Sequence, residues 1–191
     1  MSLGLCALKM NSDQIQALID SDPYLRKSQC SIIFEKEIPS LLPLNHIYFV
    51  LIPNGRVKDT KETKFDLGHW IHLDTLLNSS KTGKQIISYV DPYGHSCSSE
   101  TLLKMQKTAR KCNLELFINK IRIQDSFSVT CGFIISYFAL LRSRDFSSKE
   151  ILIKKISKKT LNNARVIPNI IASLLPKGPL RNRPRFSLDF F

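Results

Sequence analysis

Between positions 46 and 52 the chain reads HIYFVLI, an almost unbroken apolar and β-prone run bounded by Pro43 and by Pro53-Asn54-Gly55. A run that short and that apolar predicts a strand buried on both faces. Two more strands are predicted at 69–76 (HWIHLDTL) and 85–90 (QIISYV), set off by a polar loop at 54–64 and a polar turn at 78–84. Short polar connections predict antiparallel pairing among them. Before these strands, Ile15, Leu18 and Ile19 share one face of a short helix at 12–21, which Asp22-Pro23 should stop. The stretch from Ser31 to Pro43 reads as extended chain with turns. After the strands, Leu102, Leu103, Met105, Ala109 and Cys112 form an apolar stripe on a helix at 98–112. Residues 114–123 (LELFINKIRI) alternate like a strand. A polar turn at 124–130 then leads into a strongly apolar helix from Cys131 to about Leu141.

Ser147-Ser148-Lys149-Glu150 matches a capping box and opens another helix, with Ile151, Leu152, Ile156 and Leu161 as its apolar positions. Pro168 should interrupt a last helical stretch at 162–175. The pattern as a whole predicts an α+β fold. A mixed, mainly antiparallel central sheet is flanked by helices, and Cys131 stands at the N-terminus of a buried one. One domain is expected over residues 1–176, followed by a basic, irregular tail at 177–191 that ends in Phe190-Phe191. The tail is either a loose terminus or a segment that docks, since it pairs arginines with apolar ends.

Composition adds little to the fold: 191 residues, 43% hydrophobic and 23% charged, suit one soluble core. Charge adds more. With 28 Lys+Arg against 16 Asp+Glu, the formal net charge is +12. Such a surface attracts polyanions, or is simply a solvated basic surface without a specific partner. Five cysteines, an odd number with no CxxC pair, argue against a disulfide framework and a cysteine-rich zinc module, and favour a reducing compartment. No apolar run reaches the roughly 18 residues of a membrane span. The N-terminus lacks the basic-then-apolar pattern of a secretory signal.

Four elements carry chemistry, in chain order: Gly68-His69-Trp70, the VDPYG of 90–94, Gln124, and Cys131-Gly132-Phe133. A thiol becomes a good nucleophile when its charged form is favoured, by a helix N-terminus or a neighbouring imidazole. Cys131 has the first by position. His69, at the start of a strand, can supply the second. A histidine in that role needs an orienting partner on its other nitrogen. Asp91 closes the strand expected to pair with that of His69, so a hairpin brings both to one end of the sheet. Gln124, seven residues before Cys131, can supply a side-chain amide to an oxyanion, beside the N–H of Cys131. Taken singly, these residues have plainer readings: a small buried hydrophobe, a structural histidine, a turn-forming aspartate.

In this order and context, GHW, DPYG and Gln-x6-Cys-Gly-Phe resemble the adenovirus endopeptidase (adenain) family, of the clan that includes SUMO and ubiquitin-like proteases. The seven-residue step from Gln124 to Cys131 resembles the adenain branch, since cellular SUMO proteases usually have a step one shorter. Pro23-Tyr24-Leu25, Phe34, Ile38-Pro39 and Asn54-Gly55 follow the same layout, so the resemblance covers residues 15–141. Three departures stand out: Asp91 occupies a position where adenovirus enzymes have Glu, the hairpin between His69 and Asp91 is long, and the C-terminal part is dissimilar. They leave the source open between a related double-stranded DNA virus and a Maverick/Polinton-type element.

The resemblance implies a thiol endopeptidase that cleaves viral precursor proteins during virion maturation through an acyl-enzyme. Cys131 attacks, His69 carries the proton, Asp91 holds His69 and Gln124 binds the oxyanion. It implies no cofactor or metal for the chemistry, sequence-independent binding to double-stranded DNA, and activation by DNA and by a short viral peptide. In relatives that peptide attaches through a cysteine shortly before the oxyanion Gln. Cys112 lies near that place, and its other reading is a core cysteine closing its helix. A monomer with no membrane association is expected, located in the virion and host nucleus or otherwise in a reducing intracellular compartment. Two further functions stay open: deconjugation of ubiquitin-like modifiers by the same chemistry, and a non-catalytic DNA-binding virion protein that keeps the fold.

Overall fold

The computed structural model describes residues 10–53, 68–76, 85–124, 130–156 and 160–175. Its centre is a five-stranded sheet in the order β1-β2-β3-β4-β5: β1 Gln29–Phe34, β2 His46–Pro53, β3 Gly68–Asp74, β4 Ile86–Val90 and β5 Glu115–Ile118. The two inner pairings, β2 with β3 and β3 with β4, are antiparallel. The outer pairings, β1 with β2 and β4 with β5, are parallel. The expected α+β architecture, a mixed sheet flanked by helices, is what the chain adopts.

Both faces of the sheet are covered, and this explains the unbroken apolar run of β2. Ile47, Phe49 and Leu51 face one layer together with Trp70 and Val90. That layer comprises Ile134, Ile135 and Phe138 of α4 (Cys131–Arg142), Ile15 and Leu18 of α1 (Ser12–Ser21), and Ile167 and Ile171 of α6 (Thr160–Leu174). Tyr48 and Val50 face the other way with Ile71, Leu73, Ile87 and Tyr89, against Met105 and Ala109 of α3 (Ser99–Cys112) and Ile38 and Leu42 of the β1–β2 crossover. A strand covered on both faces loses the alternation that would mark an exposed one.

Several boundaries differ from the sequence expectation. Asp22-Pro23 ends α1 and at once starts a second helix, α2 (Pro23–Lys27). Asp22 Oδ1 accepts from the N–H groups of Tyr24 and Leu25, both at 3.0 Å, and Pro23 occupies a first-turn position where its missing N–H costs nothing. On α3 the buried face is Thr101, Met105, Thr108 and Ala109, while Leu103 is 65% exposed and Cys112 is exposed too. Leu103 lies two positions from Met105, nearly opposite it around the helix. Thr108 takes an inward place because its hydroxyl accepts from Leu42 N (2.9 Å) and donates to Lys104 O (3.0 Å).

The strand expected at 114–123 stops at Ile118. Asn119 is buried, and the chain turns toward the end of β4, where Ile123 N and Gln124 N both donate to Pro92 O at 2.8 and 2.9 Å. Ser147 caps a short helix, α5 (Ser148–Glu150), by accepting from Glu150 N, and a wider π-type turn, Ile151–Lys155, extends it. Pro168 does not end a helix; it sits buried inside α6. The polar segments at 54–64 and 78–84, most of the turn at 124–130, and the tail at 177–191 lie outside the described residues. Among the described residues no helix is long and apolar enough to cross a membrane.

Candidate active site

Antiparallel pairing of β3 with β4, in the register His72 opposite Val90, puts the start of β3 and the end of β4 at one end of the sheet. His69 is near that start, and Asp91 follows directly on Val90. The two side chains meet there, with His69 Nε2 2.8 Å from Asp91 Oδ1. A carboxylate oxygen only accepts, so Nε2 carries the hydrogen of this contact. Cys131 lies near enough to the His69 ring to act on its protonation. Burial opposes protonation of His69, but the hydrogen bond and charge of Asp91, together with the nearby Cys131, raise its pKa to about 9.

Asp91 is 2% exposed and heavily committed. Oδ1 also accepts from Tyr93 N at 2.7 Å, and its own N–H donates to Asn119 Oδ1 at 2.8 Å. Gly94 N closes the turn on Asp91 O at 2.8 Å. Gly94 has φ of +74°, and a Cβ there would lie 2.9 Å from the carbonyl carbon of Ile121, so both conformation and space call for glycine in DPYG. His95, exposed, stands with Nδ1 3.7 Å from Asp91 Oδ2.

Cys131 is the first residue of α4 and is 7% exposed. The N–H groups of a helix's first turn have no partner within the helix, so the sulfur stands where such donors converge. What brings it to His69 is the pair of flanking residues. Trp70 fills the space beside Gly132, whose Cβ, if present, would lie 3.2 Å from Trp70 Cδ1 and 2.7 Å from Met10 Cβ. Trp70 Nε1 donates to Met10 O at 3.0 Å, fixing the indole.

Gln124 is fully buried. Its backbone is tied to Pro92, and its Nε2 donates to Tyr93 Oη at 3.2 Å. The Tyr93 ring lies 4.8 Å from that of His69, tilted by 31°. The structure thus pairs His69 with Asp91 directly, places Cys131 near His69, and connects Gln124 to them through the DPYG turn. Cys112 is not part of this cluster; it is a free, exposed thiol at the end of α3, so the reading of it as a core cysteine is corrected. Among the described residues no group of His, Cys, Asp and Glu could hold a metal ion.

Three supporting residues carried no sequence signal. Asn119 looks like any strand-end polar residue, Met10 serves through its carbonyl, and Asn163 of α6 steadies the Gln124 segment by donating from Nδ2 to Ile123 O at 2.7 Å. Tyr93 was legible only as part of a turn motif.

No protein-family model and no curated protein matches the sequence. Among solved structures the chain is similar to a crystal structure of a selenomethionyl ASFV protease, with a TM-score of 0.46 and 14% identity, over 69% of this chain and 45% of that one. The chain therefore spans less than half of that protein's length.

Proposed function

We propose that this chain is a cysteine endopeptidase with Cys131 as nucleophile, His69 as general base and acid, Asp91 as the residue that orients His69, and Gln124 as an oxyanion donor. The observation that carries this reading is the His69–Asp91 pair, Nε2 to Oδ1 at 2.8 Å, beside a thiol on the first residue of a helix. The thiol proton moves to His69 Nδ1 and the sulfur attacks the substrate carbonyl. Asp91 keeps the ring from turning and balances the imidazolium charge. The oxyanion is received by the Cys131 N–H and the Gln124 carboxamide. His69 then gives its proton to the leaving amine, and water, activated by His69, releases the acyl group from sulfur.

The substrates we propose are viral precursor proteins cut during particle maturation, as the motif resemblance implies. The net charge of +12 supports a sequence-independent attraction of the enzyme to double-stranded DNA, and through it to packaged genomes. The test is incubation with a peptide library rich in glycine-containing sites, read by mass spectrometry, alongside fluorogenic ubiquitin and SUMO conjugates. Cleavage of library peptides by the wild type and none by Cys131→Ala is expected. Turnover of the conjugates alone would shift the reading to deconjugation, and equal inertness of both proteins would overturn it.

A further inference from the structure

We infer that Met10 is a positioning residue that seats the start of α4, and with it Cys131, against the strand of His69; this deepens the protease reading and rests on it. Met10 is 2% exposed and touches both elements. On the β3 side its carbonyl accepts from Nε1 of Trp70, the residue after His69, at 3.0 Å. On the α4 side it lies against Gly132, the residue after Cys131. A Cβ on Gly132 would stand 2.7 Å from Met10 Cβ and 3.2 Å from Met10 O, so Met10 approaches the helix more closely than Trp70 does, at 3.2 Å. Its sulfur accepts from Ser136 Oγ at 3.4 Å. Gly132 and Ser136 are four positions apart and share one face of the helix, so Met10 braces the first turn of α4 along its length.

The brace is itself fixed from its C-terminal side. Asn11 caps α1: its Oδ1 accepts from Gln14 N, and Gln14 Oε1 accepts from Asn11 N, both at 2.9 Å. Ile15 and Leu18 then anchor α1 in the same core as Trp70 and Phe133. Met10 therefore acts as a spacer of set thickness between the strand that carries the imidazole and the helix that carries the sulfur. A displacement of about 1 Å between reacting groups costs on the order of 10²-fold in rate. Loss of the spacer should thus reach the chemical step through Trp70 and Gly132, and leave substrate binding unchanged.

The experiment compares wild type, Met10→Ala, Met10→Leu and Trp70→Phe on the best library peptide. It also follows iodoacetamide labelling of Cys131, with Cys112, exposed at the end of α3, as the reference within the same molecule. Met10→Ala should lower kcat about tenfold or more, with KM within about threefold, and slow Cys131 labelling while that of Cys112 holds. Trp70 is the chain's one tryptophan, so its emission should shift to the red in Met10→Ala as the indole loosens. Met10→Leu keeps the carbonyl, the Cβ and the bulk, and should recover kcat to within about threefold of wild type. Wild-type kcat in Met10→Ala, a rise in KM alone, or an equal fall in Cys112 labelling would each overturn the inference. If Met10→Ala does not fold, Trp70→Phe decides, since it removes the donor to Met10 O and keeps a ring: slowed Cys131 labelling is expected, and a wild-type rate overturns the inference. A wild type that cleaves no peptide would instead refute the protease reading, while the labelling comparison still tests Met10, so the two failures are distinguishable.

Discussion

Trp70 and Gly132 are in van der Waals contact, and through them the residues next to each, His69 and Cys131, are brought together. The same strand and helix are joined again at their far ends. Arg142, at the end of α4, makes a two-pronged ion pair with Asp74, at the end of β3: Nε to Oδ2 at 2.9 Å and Nη2 to Oδ1 at 2.8 Å. From Gly132 to Arg142 the helix rises about 15 Å, and from Trp70 to Asp74 the strand rises about 14 Å. The two elements are matched in length, so fixing both ends removes sliding between them and sets the imidazole against the sulfur.

Gly132→Ala tests the first of these fixings. The new methyl would meet Met10 Cβ at 2.7 Å, and a Cβ cannot swing aside as a side-chain tip can. A loss of about 1–3 kcal/mol in stability is expected, measured by urea denaturation, together with a kcat loss larger than that of a surface substitution. Wild-type kcat in this variant would show that the contact does not set the site.

Arg142→Met tests the second. Asp74 and Arg142 are both buried, and Asp74 also accepts from His72 Nε2 at 2.7 Å. Although burial raises the Asp74 pKa, the charge and hydrogen bonds of Arg142 outweigh it and hold the carboxyl well below the usual range. Its contribution to stability is therefore present above the ordinary carboxylate pKa and lost only in strong acid. Removing the guanidinium strands a buried charge and should cost about 3–5 kcal/mol, again by denaturation. A cost below 1 kcal/mol would contradict this role.

Asp91→Asn tests the orientation of His69. With a folded pKa of about 9, above its ordinary 6.5, His69 adds stability that is complete below pH 6.5 and disappears as pH rises through 9. The variant lacks the carboxylate that raises this pKa, so the alkaline limb of its pH–rate profile should move to lower pH. Its stability should decline less between pH 7 and 10. Turnover should fall on the order of 10²-fold or more. An unmoved alkaline limb would count against the assignment.

DNA affinity, measured by fluorescence anisotropy on duplexes of unrelated sequence, should fall roughly tenfold or more between 50 and 200 mM salt. A flat salt response would remove the electrostatic account of the +12 charge.

The strands, the helices and the order of the four motifs were legible from the sequence because each rests on local pattern. β2 announced itself by its apolar run and α4 by the change from a polar turn to CGFIISYF. What was not legible depends on tertiary partners. Thr108 points inward only because Leu42 N needs an acceptor, and residues 119–123 leave the sheet because Pro92 O takes two N–H groups. Leu103 and Cys112 looked like core and are not, since α3 packs on a narrower face than its apolar count suggested. The charges of Asp74 and Arg142 gave no hint of burial, because each is buried only by virtue of the other.

Thiol alkylation at neutral pH bears most directly on the central claim. By exposure alone Cys112 should label first, since it is exposed and Cys131 is only 7% accessible. Cys30 should be slow, its thiol pushed up to about 12 by burial and by the nearby charge of Asp22. If Cys131 is a nucleophile served by His69, limited iodoacetamide followed by peptide mapping will find Cys131 modified ahead of Cys112, and His69→Ala will abolish that preference. Labelling of Cys112 first, with Cys131 unreactive in both proteins, would contradict the account.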